Sequence, residues 1–192
     1  MGRAQAFDTA EAVRSARAVF WERGYEEASL PELERATGLS RSSIYHAFGS
    51  KRGLFDAAVS SYLNEIIRPR LRPLNSPDIT VNAIVDYFTG LRAALAQPGT
   101  PQSHNGCLLL NAAGAPIANE SAVSLAIAGY REELKTSLGL GIAAHRPGTG
   151  NGARLQLATV LSSLVIAAMT LARIDKDQAL ATLDTALELL KD

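Results

Sequence analysis

The sequence predicts an all-α fold of about nine helices, with an N-terminal three-helix helix-turn-helix unit and a larger helical C-terminal region. Three observations lead there. Nearly every segment repeats its apolar residues at i, i+3 and i+4, and no run alternates as a strand would. Gly and Pro fall where helices of ordinary length would end. Of the 192 residues 47% are apolar and 20% charged, which suits one large domain or two small ones of ordinary globular character.

The first helix is predicted over about Thr9–Arg23, with Val13, Ala16 and Phe20 on its inner face and Gly24 as the stop. A second opens at Ser29. Glu32 lies three residues on, the pattern of a capping box, and Pro31 falls in the first turn, where its missing N–H does no harm. Leu30, Leu33 and Ala36 are expected to face inward and Gly38 to end the helix. The third follows a Gly38-Leu39-Ser40 turn and lasts two turns, with Ile44, Ala47 and Phe48 toward the core.

A fourth helix begins at Ser50 and is expected to reach Ile67. Prolines at 69, 73 and 77 then place a domain boundary, so that residues 1–50 form one unit, 50–67 a linking helix and 68–192 the second unit. Beyond it the pattern predicts a helix carrying Ile84, Tyr87, Phe88, Leu91 and Leu95, a loop "QPGTPQSHNG", and a short apolar helix from Cys107 to Ala113. Longer helices over about 121–144, 153–173 and 176–190 complete the chain.

Net charge is zero but unevenly spread. Residues 41–72 carry six basic and two acidic groups, and residues 73–192 carry eight basic and ten acidic. Positive charge is thus gathered early, as a partner bearing phosphates would require. A single cysteine excludes an internal disulfide framework and fits a reducing compartment, and the first twenty residues lack the apolar core of a signal peptide, so a cytoplasmic protein is expected. Leu155–Ala172 carries no charge over a length near the membrane-spanning minimum, but five Ser, Thr and Gln residues dilute it. A helix buried in a soluble assembly is the better account.

Two helices joined by a three-residue turn containing Gly have the form of a helix-turn-helix. Arg41, Ser42, Tyr45 and His46 share the face opposite Ile44, a short polar surface suited to a major groove. Arg41 is the candidate base reader, since a guanidinium bonds guanine O6 and N7 together. Ser29, Ser43, Tyr45 and Lys51 are candidate phosphate anchors, Lys51 following the N-cap Ser50.

The stretch "AVFWERGYEEASLPELERATGLSRSSIYHAFGSKRGLF", Ala18 to Phe55, resembles the DNA-binding domain of the TetR/AcrR family of bacterial transcriptional regulators. The likeness lies in Phe20, Gly24-Tyr25, Ser29, Ala36, Gly38-Leu39-Ser40, Ile44-Tyr45, Phe48 and Ser50-Lys51. Ala28 replaces a usual Thr, and Leu30 stands where some members carry a base-reading Arg. The resemblance implies a homodimer on a palindromic double-stranded operator, joined through the last two helices and released by a small apolar or weakly polar effector. Repression is the expected outcome. Tyr62, Tyr87, Phe88, His104, Cys107, Asn111 and Tyr130 are candidate effector contacts.

"HNGCLLLNAAGAP" also resembles a subgroup with a Gly-Cys-Leu-Leu-x-Asn element, in some members of which the cysteine senses electrophiles or oxidants. For Cys107 two readings stand side by side, a sensor and a small buried hydrophobe. No cofactor or metal is expected: His46, His104 and His145 lack ligand spacing, and no nucleophile–base set suggests an enzyme. A helical interaction module without DNA contact is the remaining rival.

Overall fold

A computed structural model describes residues 8–191, and every regular element among them is helical. The N-terminal unit comprises α1 (Thr9–Glu27), α2 (Leu30–Thr37), α3 (Arg41–Phe48) and α4 (Lys51–Tyr62). Each starts on a side-chain cap. Asp8 accepts from the amides of Ala10 and Glu11, Ser29 from Glu32, Ser40 from Ser43 and Ser50 from Gly53. Such caps satisfy donors that a helix start leaves orphaned. The capping box at Ser29 and Glu32 is complete in both directions.

Gly24 bends α1 sharply at φ 79°, so the helical path stops where predicted and one further turn follows at a new angle. Gly38 closes α2 in the left-handed region at φ 69°, which frees the chain to enter the turn before α3. Phe20, Leu33, Ile44, Leu54 and Phe55 are fully buried at the junction of the four helices. The Phe55 ring stands edge-on to Phe20 and Tyr25 at centroid distances of 5.1 and 5.2 Å. Ala36 and Ala47, expected inward, are exposed. Helices of only two turns touch the core along a narrow stripe, which Leu33 and Ile44 fill with Leu30 and Phe48 packed at its edge.

The prolines do not stop α4 where the sequence reading places the break. A π turn, Leu63–Ile67, continues it into α5 (Arg68–Leu71) and a 3₁₀ turn, Arg72–Asn75. Pro69 falls in the first turn of α5, a position that tolerates the missing N–H. There follow α6 (Ala83–Ala96), α7 (Pro101–Asn105), α8 (Leu108–Ala113), a 3₁₀ turn at Pro116–Asn119, α9 (Ser121–His145), α10 (Asn151–Leu171) and α11 (Lys176–Glu188). Counting α4 and α5 as one rod and setting aside the single turn α7, nine helices carry the fold among the described residues. That turn lies in the segment read as loop; Thr100 caps it by accepting from Ser103 N.

Helix α10 lies against α9 and α11. By length and composition alone it could cross a membrane, and a third of its apolar window is buried within the chain. Its outer side leaves Leu155 and Val160 exposed, and Leu189 near the end of α11 is exposed too. Gly141 lets α9 approach closely, since a Cβ there would sit 2.6 Å from Leu74 Cδ2. Arg92 on α6 pairs with Asp184 on α11.

Three polar contacts join the N-terminal helices to the segment around α8. Trp21 Nε1 donates to Gly106 O at 3.2 Å, Ile117 N donates to Glu26 Oε1 at 2.9 Å, and Arg52 lies 3.3 Å from Glu120.

Candidate nucleic-acid interface and effector cavity

On α3 the polar residues face out. Arg41, Ser42, Tyr45 and His46 are exposed, Ser43 is half-buried and Ile44 is fully buried. The Arg41 guanidinium lies over the Tyr45 ring, 5.6 Å from its centroid. A cation over an aromatic face is held in place yet keeps its N–H edge free. Ser40 Oγ lies 2.9 Å from both Ser42 Oγ and Ser43 Oγ, so the helix start is a small hydroxyl cluster. The Arg41 amide donates to the Glu34 carboxylate, which ties α3 to α2 and sets the angle between them.

Two of the predicted phosphate anchors are engaged elsewhere. Ser29 Oγ donates to Glu32 Oε2 at 2.7 Å, so its proton is committed to the cap. Hydrogen bonding to Ser29 is also the main reason the Glu32 carboxyl sits below its usual range. Lys51 Nζ rests 4.6 Å from the Tyr25 ring centroid and donates to Glu26 O at 3.4 Å. Burial lowers its pKa. To meet a phosphate Lys51 must swing out from this seat, whereas Arg41, Ser42, Tyr45 and His46 are already outside.

The interior contains a different constellation. Tyr62, Tyr87 and Tyr130 line one small inner space of about 20 Å³, together with Ile66, Ile67, Arg70, Leu71, Leu91, Gln102, Val165 and Met169. That volume holds roughly one water. Tyr62 Oη is fully buried and has no hydrogen-bond partner, an arrangement that costs on the order of 1–3 kcal/mol. Cys107 is fully buried beside Tyr62 and Tyr130, and burial raises its thiol pKa; the Tyr62 hydroxyl lies close to the sulfur but makes no hydrogen bond of good geometry to it. Burial likewise raises Tyr62, Tyr87 and Tyr130, which therefore stay neutral at ordinary pH.

Arg70, Tyr87 and Leu91 also line an outer cavity of about 310 Å³, whose remaining wall is Pro69, Pro73, Thr80, Ala83, Asp86 and Gly90. These three residues separate the outer cavity from the inner space.

The other predicted effector residues lie apart. Phe88 is fully buried in the core, edge-on to Tyr87. Asn111 Nδ2 donates to Asn105 O at 2.8 Å and braces the loop between α7 and α8. His104 is exposed in a separate cavity with Pro98, Ala172 and Lys176. Arg70 and Gln102 were not foreseen. Arg70 lay in the proline-rich run read as a boundary, and its only sequence signal was a basic residue between two apolar helices.

An all-helical chain that opens on a capped helix-turn-helix has the build of a DNA-binding regulator. A family model described as "Bacterial regulatory proteins, tetR family" matches residues 12–58. The structure superposes on the TetR family transcriptional regulator CifR, solved as a cysteine mutant with 26-base-pair operator DNA, with TM-score 0.78, 31% identity and coverage of 97% of this chain and 98% of that one. The chain belongs to the TetR family, a family of regulators rather than enzymes.

Reduced Escherichia coli NemR shares the fold with TM-score 0.77, 22% identity and coverage of 94% and 93%. Among curated relatives, the HTH-type transcriptional regulator YezE of Bacillus subtilis is 38% identical over 59% of this chain and 57% of its own length. The repressor ComR of Escherichia coli is 32% identical over 57% and 51%. The chain thus spans about half the length of the curated relatives it matches.

Proposed function

We propose that the protein is a ligand-responsive transcriptional repressor that binds a palindromic operator as a homodimer and leaves it when a small effector occupies the C-terminal interior. One observation carries the reading: α3 holds Arg41, Ser42, Tyr45 and His46 outward on a helix anchored by Ile44. Operator DNA bound to CifR and the repressor name of ComR support it. Arg41 reads bases; Tyr45, Ser43 and, after rotation of its side chain, Lys51 hold phosphates; Ser29 stays in its cap. Residues 1–50 act as the DNA unit, the rod from Ser50 to Ile67 as the link, and 68–192 as the effector and dimerisation unit. Two copies meet through α10 and α11, covering Val160 and Leu189. Such a protein works in the cytoplasm.

Release follows if the effector prefers a dimer whose recognition helices no longer match half-sites about 34–36 Å, or a multiple of this, apart. Footprinting on genomic fragments tests the reading. A protected palindrome that Arg41→Ala abolishes supports it, and binding with no sequence preference would refute it.

A second reading assigns Cys107, in its Gly106-Cys107-Leu108-Leu109-Leu110-Asn111 element, to sensing electrophiles. Its favouring observation is the thiol's place against the Tyr62 and Tyr130 hydroxyls. In the test, the thiolate displaces iodide from iodoacetamide, and operator affinity is compared between wild type and Cys107→Ser. Equal responses would end this reading.

A further inference from the structure

We propose that the outer cavity and the inner space that Arg70 and Tyr87 separate together receive a small monocarboxylate, its apolar body in the outer cavity and its carboxylate taken by the Arg70 fork and the Tyr62 hydroxyl. This names the effector class for the function proposed above and rests on that reading for its regulatory meaning, though not for the binding itself.

The clearest sign is Tyr62. Its hydroxyl is fully buried, the residue lines the space, and apart from a loose approach to the Cys107 sulfur it makes no hydrogen bond of good geometry. A folded protein rarely leaves such a donor idle unless something else supplies the acceptor. Around it stand the Tyr87 and Tyr130 hydroxyls and the Gln102 amide, each able to donate or accept, and the Arg70 guanidinium, which can only donate. No ion pair reaches Arg70 among the described residues. Arg70 borders both spaces outside any ion pair, Asp86 sharing the outer cavity with it, and a planar, bidentate acceptor such as a carboxylate matches its geometry.

Size and charge narrow the class. The inner space has room for little more than the carboxylate, and Pro69, Pro73, Ala83 and Leu91 give the outer cavity an apolar side that suits a hydrocarbon or aryl body. Asp86 lines the outer cavity and opposes a second negative charge, which disfavours phosphate esters and dicarboxylates. Arg70 and Tyr87 border both spaces, so a ligand entering from the outer cavity meets them first, and their rotation opens the way to Tyr62. The adjoining volume of about 310 Å³ supplies the room that the small inner space lacks.

Trp21 is the only tryptophan in the chain and stands edge-on to Tyr62, with ring centroids 4.9 Å apart. Its fluorescence reports directly on this site, with no DNA present. Hexanoate and benzoate are titrated against 1-hexanol and benzyl alcohol, which match them in shape but carry no charge.

Saturable changes are expected, with each carboxylate bound at least tenfold more tightly than its alcohol. Arg70→Gln should erase that preference, and Arg70→Lys should keep part of it by retaining charge without the fork. Tyr62→Phe should weaken carboxylate binding at least threefold while the ligand-free protein melts no lower than wild type, because an idle buried hydroxyl has been removed.

Equal binding of acid and alcohol, a preference that survives Arg70→Gln, or no saturable signal would overturn the proposal. Operator release is measured separately by mobility shift. Carboxylate binding without release would overturn the effector reading and leave the receptor standing. Release by a neutral compound, with carboxylates ignored, would do the reverse.

Discussion

Helix α3 and the inner space use polar groups in opposite ways. On α3 the apolar residue Ile44 is inside and the hydroxyls, guanidinium and imidazole are outside, each with water or a neighbour to satisfy it. In the inner space a few polar side chains line a mainly apolar hollow, and one of them, Tyr62 Oη, makes no hydrogen bond of good geometry within the protein. The first arrangement costs little to maintain and stands ready for a large partner. The second stores an unmet hydrogen bond that a small partner can supply. A surface that binds a duplex needs only exposure and register, whereas an interior that binds a small molecule needs unpaired chemistry.

The contrast is open to attack at several points. The largest expected effect is on the support for α3. Truncating Phe20, which is fully buried and edge-on to Phe55, should cost about 3–5 kcal/mol and abolish operator binding through loss of fold. Thermal unfolding followed by circular dichroism measures it.

Next, Arg41→Ala should cost about 1–3 kcal/mol of operator affinity, concentrated at one base pair, with unfolding unchanged. Competition binding against single-base variants of the operator reads this out. Uniform loss across all variants would move Arg41 from base reader to phosphate anchor.

Trp21→Phe removes a bond to Gly106 that joins the two regions, and about 0.5–1.5 kcal/mol of stability should go with it.

The pH dependence has a definite sign. Cys107 and Tyr62 have pKa values raised by burial from ordinary values of 9.0 and 10.0. Their protonated forms therefore favour the folded state. This contribution is fully present below pH about 9 and is lost as pH rises through the raised values. Denaturant midpoints from pH 7 to 10.5 should fall at the alkaline end, and Cys107→Ser should delay the onset.

The smallest effect belongs to Lys51→Ala, which should flatten the salt dependence of operator binding by about one unit without changing sequence preference.

How much of this was legible beforehand follows from where each signal resides. The caps at Ser29, Ser40 and Ser50 and the turn at Gly38 are local chemistry, so the boundaries of α2, α3 and α4 could be read from a few residues each. The outward face of α3 followed from spacing alone. Ala36 and Ala47 were misplaced because a small apolar residue fits the rim of a short helix as well as its core.

Continuation of α4 past Ile67 was missed because proline is compatible with a helix that restarts, and the π turn leaves no mark in composition. The interior was half legible. Tyr62, Tyr87 and Tyr130 were named from aromatic type, but their convergence with Arg70 depends on four helices meeting, and no pattern within one segment encodes that. His104, Phe88 and Asn111 carried the same kind of signal and went elsewhere.

The wide turn at Leu63–Ile67 has a mechanical consequence. From Lys51 to Tyr62 the straight part of α4 is about 18 Å long at 1.5 Å per residue. A tilt of roughly three degrees about that turn would carry its far end sideways by about 1 Å over such a span. Ile66 and Ile67 border the inner space at the pivot, so an occupant shifting them slightly would act on the short arm of a lever whose long arm carries the DNA-facing end.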